Sequence, residues 1–247
     1  LGQMSDFAFL FSVEQNQISG QIPTELGKMM PFSAGLTLQI NRLTGEIPSE
    51  LGRLTGLKNA FLLYENGLSG SIPSELGSFS KLVNSFTINS NYLTRSIPSE
   101  LGQLFALTSA LFLNANHLTR SIPTELGQLT NLESGFGLLM NSLTGPCPTE
   151  IGRMSNLTNA FYPMSNFLTG SMPTELGQLT ALEQMYLNGN SLTGSMPSEV
   201  GQLTAMQRFL ANNNRLQSSL PSSLCNLGRS NLGLIEFSVG FNSLSGR

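Results

Sequence analysis

Asn16, Asn41, Asn66, Asn91, Asn116, Asn141, Asn166, Asn190, Asn214 and Asn242 divide the chain at intervals of 25 residues six times, then 24, 24 and 28. Each is followed two positions on by Leu (Ile18 in the first), then mostly by Thr or Ser and usually by Gly. The fullest copies read NSLTGSMPSEVGQLTAM from Asn190 and NGLSGSIPSELGSFSKL from Asn66. A unit this short cannot bury its own apolar face, so its copies must stack on one another.

Within the cleanest unit, Leu182-x-x-Met185-x-Leu187-x-x-Asn190-x-Leu192, Met185 and Leu187 alternate with period two, as in a strand with one buried face. Asn suits the sharp turn that follows, because its side chain bonds neighbouring backbone groups and it tolerates left-handed conformations. Stacked coil on coil, Asn41, Asn66, Asn91, Asn116, Asn141, Asn166, Asn190 and Asn214 would form a ladder that satisfies buried backbone groups between turns. Leu192 and Met196 return inward. Pro197-Ser198-Glu199 reads as the start of a short helical turn, with Ser198 placed to cap it, Glu199 near its positive end and Gly201 closing it. Strands about 4.8 Å apart would make the coils an arc of roughly 45–50 Å with one long parallel sheet.

Composition removes most other readings. The chain has 247 residues, 11% of them charged, and a formal net charge of −3, which argues against a nucleic-acid partner bound through a basic surface. No apolar run approaches the roughly 18 residues of a membrane span, so no membrane insertion by this segment is expected, and the opening residues do not read as a signal peptide. With a lone His (His117) and a lone Asp (Asp6), a nucleophile–base–orienter set is short of parts. The expectation is no enzyme, no cofactor and no metal.

The unit LxxLxLxxNxLTGxIPxxLGxL resembles the plant-type leucine-rich repeat along essentially the whole chain, and LTGSMPTELGQLT is similar to repeats of algal surface proteins. Receptor-kinase ectodomains, polygalacturonase-inhibiting proteins and some plant antifreeze proteins share the pattern. The resemblance implies an α/β repeat solenoid: a right-handed superhelix with a parallel β-sheet on its concave face and short helical or irregular turns on its convex face. It also implies a usually extracellular or cell-surface protein that binds ligands on the concave face. It is highly specific for fold and poorly specific for ligand.

Several positions depart from the pattern. Units two to seven carry an extra residue before the strand, where Gly35, Ala60, Ser85, Ala110, Gly135 and Ala160 precede their Asn by six. A small residue there suggests a bulge at the strand entry, or a neutral insertion copied by duplication. Pro163 falls on an inward strand position, so a local break in the sheet is expected. Leu1-Gly2-Gln3-Met4 matches the middle of a unit, and the chain stops at Leu244-Ser245-Gly246-Arg247. Residues 1–247 therefore read as a single domain of about ten repeats lacking both caps, a fragment that continues into further repeats or associates end to end.

Candidate sites follow from the strand alternation. Outward positions on the concave sheet, four and two before each Asn, carry Tyr64, Phe112, Leu139, Tyr162, Met164 and Tyr186 in a nearly uncharged setting. Exposed rings on a rigid sheet suit binding anchors, whereas a shifted register would turn some of them into core. On the opposite side, Ser69/Ser71, Thr94/Ser96, Thr119/Ser121, Thr169/Ser171 and Thr193/Ser195 would form two ranks of hydroxyls. Such ranks resemble the ice-binding faces of antifreeze solenoids, but they are also ordinary repeat consensus, interrupted by Glu46 and Pro146. Asn156-Leu157-Thr158 is a glycosylation sequon. Cys147 takes the inward Ile position of its unit, beyond disulfide reach of Cys225. The glutamates from Glu25 to Glu199 read as partners of helical-turn N-termini.

The function expected is a non-enzymatic extracellular recognition module that binds a protein, peptide or glycan on its concave face. The alternative is an ice-binding or surface-adhesive array built on the Thr/Ser ladders. A third reading is a modular spacer.

Overall fold

The computed structural model describes residues 10–28, 33–227 and 233–245. Asp6, the Leu1-Gly2-Gln3-Met4 match and the terminal Gly246-Arg247 lie outside the described residues. The chain winds into a solenoid whose ten-stranded parallel sheet takes one short strand from each coil, in sequence order, from Leu10–Ser12 to Glu236–Ser238. Register follows the repeat: Gly35 pairs with Ala60, Ala60 with Ser85, Ser85 with Ala110 and so on to Arg208 with Glu236. A 3₁₀ turn closes each of nine coils among the described residues, from Thr24–Lys28 to Ser222–Asn226.

A second parallel sheet of seven strands, from Ser19–Gln21 to Phe167–Thr169, lies between the Asn turn and the 3₁₀ turn. Its register does not follow the repeat. Ser69 pairs with Tyr92 and Thr94 with His117, so each coil is staggered by two residues, roughly 7 Å, against its neighbour. The concave sheet carries no such stagger between its 25-residue coils.

The asparagines hold one coil to the next. Asn116 Oδ1 accepts from the Leu93 N–H of the preceding coil (3.0 Å), while Asn116 Nδ2 donates to Ile88 O (3.1 Å) and Leu113 O (3.2 Å). The same contacts recur at Asn66, Asn91, Asn141, Asn166, Asn190 and Asn214. Each Asn side chain thus satisfies a buried amide and buried carbonyls that no sheet ladder reaches.

The interior is one continuous column of side chains. Phe61, Phe86, Leu111, Phe136, Phe161, Met185 and Phe209, the middle residues of the concave strands, are fully buried. Their rings stack along the axis, Phe61 on Phe86 at 5.1 Å and Phe136 on Phe161 at 5.5 Å between centroids. Coils also meet at the Gly of the first eight 3₁₀ turns: a Cβ on Gly127 would lie 2.3 Å from Glu150 O of the next coil. Close backbone approach, not a turn, fixes glycine at this position.

Three local expectations are corrected. Ser198 does not cap its turn: Pro197 is the N-cap residue, no side-chain cap bond forms, and Ser198 Oγ donates to Glu199 Oε2 instead (3.1 Å). Pro in extended conformation directs the chain into the turn and leaves the Ser one position too late. Pro163 does not break the sheet, because Ala160–Tyr162 pairs with strands on both sides. It removes one amide from the ladder, and its carbonyl accepts from Asn166 Nδ2 and Asn190 Nδ2 (both 3.1 Å). At the strand entry Asn84 O accepts from both Ser109 N (3.0 Å) and Ala110 N (3.1 Å), but Glu183 O accepts likewise from Gln207 N (2.7 Å) and Arg208 N (3.0 Å) in a 24-residue coil, so this doubled bond is common to both coil lengths and does not mark the extra residue. A small residue is not obligatory there, since Gln184 and Arg208 occupy the same column half-buried.

Candidate functional site

Strand alternation sends Phe112, Leu139, Tyr162, Met164 and Tyr186 out of the concave sheet on four adjacent coils, all half-buried. None is turned into the core, because the inward places are filled by Leu111, Phe136, Phe161 and Met185. Tyr64 is likewise half-buried but stands apart, separated from Phe112 by the coil bearing Thr87 and Asn89.

Two residues that the repeat pattern leaves unremarked shape this patch. Gly135 and Gly137 pair with Ala110 and Phe112 on one side and with Ala160 and Tyr162 on the other. A Cβ on Gly135 would lie 2.9 Å from Phe112 Cε1, and one on Gly137 2.8 Å from Phe112 Cδ1 and 2.4 Å from Asn114 Oδ1. Phe112 and Asn114 therefore lie across the next coil, and Asn114 Oδ1 accepts from the Leu139 N–H (3.1 Å). The only sequence signal was two glycines where strands favour branched or aromatic residues.

Tyr162 and Tyr186 stack at 5.2 Å between centroids, and Tyr186 Oη donates to Gln184 Oε1 (2.9 Å). Burial raises the Tyr162 phenol above its ordinary value, as does Tyr186, while Arg208 opposes them. Gln39 Oε1, Thr87 Oγ1 and Asn188 Oδ1, also on this sheet, are buried side-chain atoms without a hydrogen-bond partner among the described residues. The arrangement offers aromatic contact area and a few polar atoms on a rigid support.

The second sheet carries Ser69, Ser71, Thr94, Ser96, Thr119, Ser121, Thr169, Ser171, Thr193 and Ser195 on or beside its strands. Its stagger changes their lateral neighbours: Ser69 lies between Glu46 and Tyr92, Thr94 between Ser71 and His117, and Thr169 beside Pro146. The two hydroxyl ranks therefore cross the strands obliquely. Ser69 Oγ and Thr94 Oγ1 donate to Gly45 O (3.4 Å) and Gly70 O (3.1 Å) of the preceding coils.

Asn156 is exposed, its Nδ2 donating to Thr130 O (2.9 Å), and Thr158 Oγ1 donates to Glu133 O (3.0 Å). Cys147 is buried in the inward column and its thiol is pushed up to about 12 by burial alone, while Cys225 is exposed. The 3₁₀-turn glutamates accept from the hydroxyl one residue before them, as Glu125 Oε2 does from Thr124 Oγ1 (3.3 Å). Among the described residues no group of His, Cys, Asp and Glu side chains could hold a metal ion, and no helix is long and apolar enough to cross a membrane.

The leucine-rich repeat family model matches residues 181–203, the unit that carries the cleanest pattern. No curated protein sequence matches the chain. Among solved structures, the receptor kinase HAESA of Arabidopsis, in complex with the peptide hormone IDA and a co-receptor, is 34% identical with a TM-score of 0.80 over 93% of this chain and 37% of that one. A plant ice-binding protein is 27% identical with a TM-score of 0.77, covering 95% of this chain and 72% of its own. A leucine-rich-repeat protein of Leptospira interrogans is 28% identical with a TM-score of 0.51, covering 91% and 64%. The chain spans little more than a third of the length of the HAESA structure. With the repeat pattern, the two sheets, the asparagine ladder and these likenesses together, the chain is a leucine-rich-repeat protein of the plant type.

Proposed function

We propose that this chain is a non-enzymatic, extracellular recognition module that binds a protein or peptide segment along its concave sheet, with a glycan as the other ligand class the face could take. The observation that carries the reading is the contiguous patch of Phe112, Leu139, Tyr162, Met164 and Tyr186, half-exposed on four neighbouring coils. Rings held by a rigid sheet lose little entropy on binding, and such residues dominate interface energetics. The likeness to a peptide-hormone receptor ectodomain supports the same reading. Apart from the tyrosine phenols, the patch bears no titratable group suited to proton transfer.

The test is selection of a displayed library of random 12-residue peptides on the folded chain, followed by affinity measurement on a variant carrying Phe112→Ala, Tyr162→Ala and Tyr186→Ala. The reading expects enriched peptides to lose at least about ten-fold in affinity on the variant, since hot-spot truncations cost about 2 kcal/mol or more. Peptides that bind both proteins equally would refute the concave assignment.

A second reading is supported by the ice-binding likeness and the hydroxyl ranks: an ice-binding surface on the second sheet. Oblique ranks, with Glu46, Tyr92, His117 and Pro146 between the hydroxyls, fit a flat lattice poorly. Thermal hysteresis lost on Thr94→Lys and Thr119→Lys would favour it over the concave reading.

A further inference from the structure

We infer that the second sheet carries a binding site for an acidic glycan, centred on Arg95 and Arg120. The backbone supplies the first observation. At the fourth residue after the Asn, the chain enters the left-handed region in coil after coil, and glycine takes the place in Gly20, Gly45, Gly70, Gly145, Gly170 and Gly194. Ser218 stands there at φ 68, and in two adjacent central coils large side chains do, Arg95 and Arg120, both at φ 67. A side chain in this conformation costs roughly 1–2 kcal/mol against glycine.

What the two arginines offer is the second observation. Both are exposed, and neither has an ion-pair partner among the described residues, where the single ion pair is Arg208 with Glu236. The following carboxylates, Glu100 and Glu125, accept from their own neighbours Ser99 Oγ and Thr124 Oγ1 (both 3.3 Å). Arg95, Ser96, Thr119 and Arg120 line an open cleft of about 410 Å³. Two forked guanidinium groups with hydroxyls between them fit planar or tetrahedral oxyanions.

The third observation points to a sugar. On the same two strands, three residues before each Arg, Tyr92 and His117 are exposed and stack with centroids 6.0 Å apart and an interplanar angle of 21°. Their column otherwise carries Gln17, Arg42, Gly67, Ser142, Ser191, Arg215 and Ser243, with one further exposed ring, Phe167, two coils beyond His117 and outside the stack. Register sets His117 against Thr94, the residue before Arg95, so the ring pair lies along the strands from the cleft, about three residues or 10 Å away, a span that neighbouring pyranose rings of a carboxylated or sulfated glycan would cover. The shallow, open cleft suits a chain lying along the surface rather than an enclosed small molecule. This site is on a different sheet from the concave patch and does not depend on that reading.

The test measures binding of the full chain to oligoalginate, dextran sulfate, neutral dextran and poly-L-glutamate at low ionic strength. The expectation is at least ten-fold tighter binding of oligoalginate or dextran sulfate than of dextran. A preference for the first identifies the sugar carboxylate, and for the second the sulfate ester. In the variant Arg95→Gly/Arg120→Gly that binding falls at least ten-fold, while the melting temperature rises by about 4 °C or more as the backbone strain is relieved. Tyr92→Ala weakens the same binding. Removing two charges elsewhere, with Arg53→Gln/Arg153→Gln, leaves it within two-fold. The inference is overturned if neither acidic glycan outbinds dextran, if Arg95→Gly/Arg120→Gly binds as the parent does, or if the Arg53→Gln/Arg153→Gln pair loses as much. A drop in melting temperature of Arg95→Gly/Arg120→Gly contradicts the strain argument, and poly-L-glutamate binding as tightly as the glycans transfers the site to acidic peptides.

Discussion

At the scale of the residue, the ladder asparagines and the inward column make separable predictions. Asn116 is 5% exposed and its side chain serves groups on two coils. Asn116→Ala strands the Leu93 amide and removes one of two donors from the Ile88 and Leu113 carbonyls, which keep Asn91 Nδ2 and Asn141 Nδ2, and should cost about 2 kcal/mol in urea unfolding. A loss below about 0.5 kcal/mol would mean that water replaces the side chain and that the ladder is not structural. Cys147 stands in a column otherwise filled by Ile22, Ile47, Ile72, Ile97, Ile122, Met172 and Met196. Its thiol, pushed up to about 12 by burial, should resist a thiol reagent at pH 8 in the folded chain, while exposed Cys225 reacts. The linkage sign follows: an unfolded thiol ionises near about 8.5, so the folded chain loses stability as pH rises from there toward 12. Cys147→Ile should keep the fold and remove that alkaline slope, as read by melting temperature against pH.

At the scale of the element, the two recurrent glycines of the coil serve different ends and should respond differently. Gly127→Ala drives a Cβ to 2.3 Å from Glu150 O, between two stacked 3₁₀ turns, and should cost about 3 kcal/mol. Gly145, at φ 75, has its nearest side-chain neighbour, Ser121 Cβ, at 3.4 Å from the added carbon, so Gly145→Ala should cost only about 1 kcal/mol of backbone strain. Equal losses would mean that the coils do not meet at their turns. What could be read from sequence divides along the same line. The concave strands and the asparagine turns were legible because one residue type at one spacing recorded them: Met185, Leu187 and Asn190 specify strand, face and turn together. The second sheet's register was not, because its pairing of Ser69 with Tyr92 is set by how whole coils tilt, which no local spacing encodes. Phe112 lying over Gly135 and Gly137 was hidden for the same reason, since the contact joins residues of neighbouring coils. Ser198 misled because a Ser before Glu is also what a Pro-capped 3₁₀ turn contains.

At the scale of the whole molecule, a stack with two exposed sheets can use each for a different chemistry. The concave patch of Phe112, Leu139, Tyr162, Met164 and Tyr186 is uncharged, whereas the second sheet offers Arg95 and Arg120 on the strands that carry Tyr92 and His117. Raising NaCl from about 50 to 500 mM should therefore weaken acidic-glycan binding at least ten-fold, while peptides selected on the concave face change less than about two-fold. Parallel salt dependence of the two would indicate a shared surface. The most direct measurement is a crystal structure of the chain with a library-selected peptide. The account predicts that the peptide lies along the concave sheet with side chains against Phe112, Tyr162 and Tyr186. A peptide seated on the second sheet or on the 3₁₀ turns, with those three rings untouched, would contradict it.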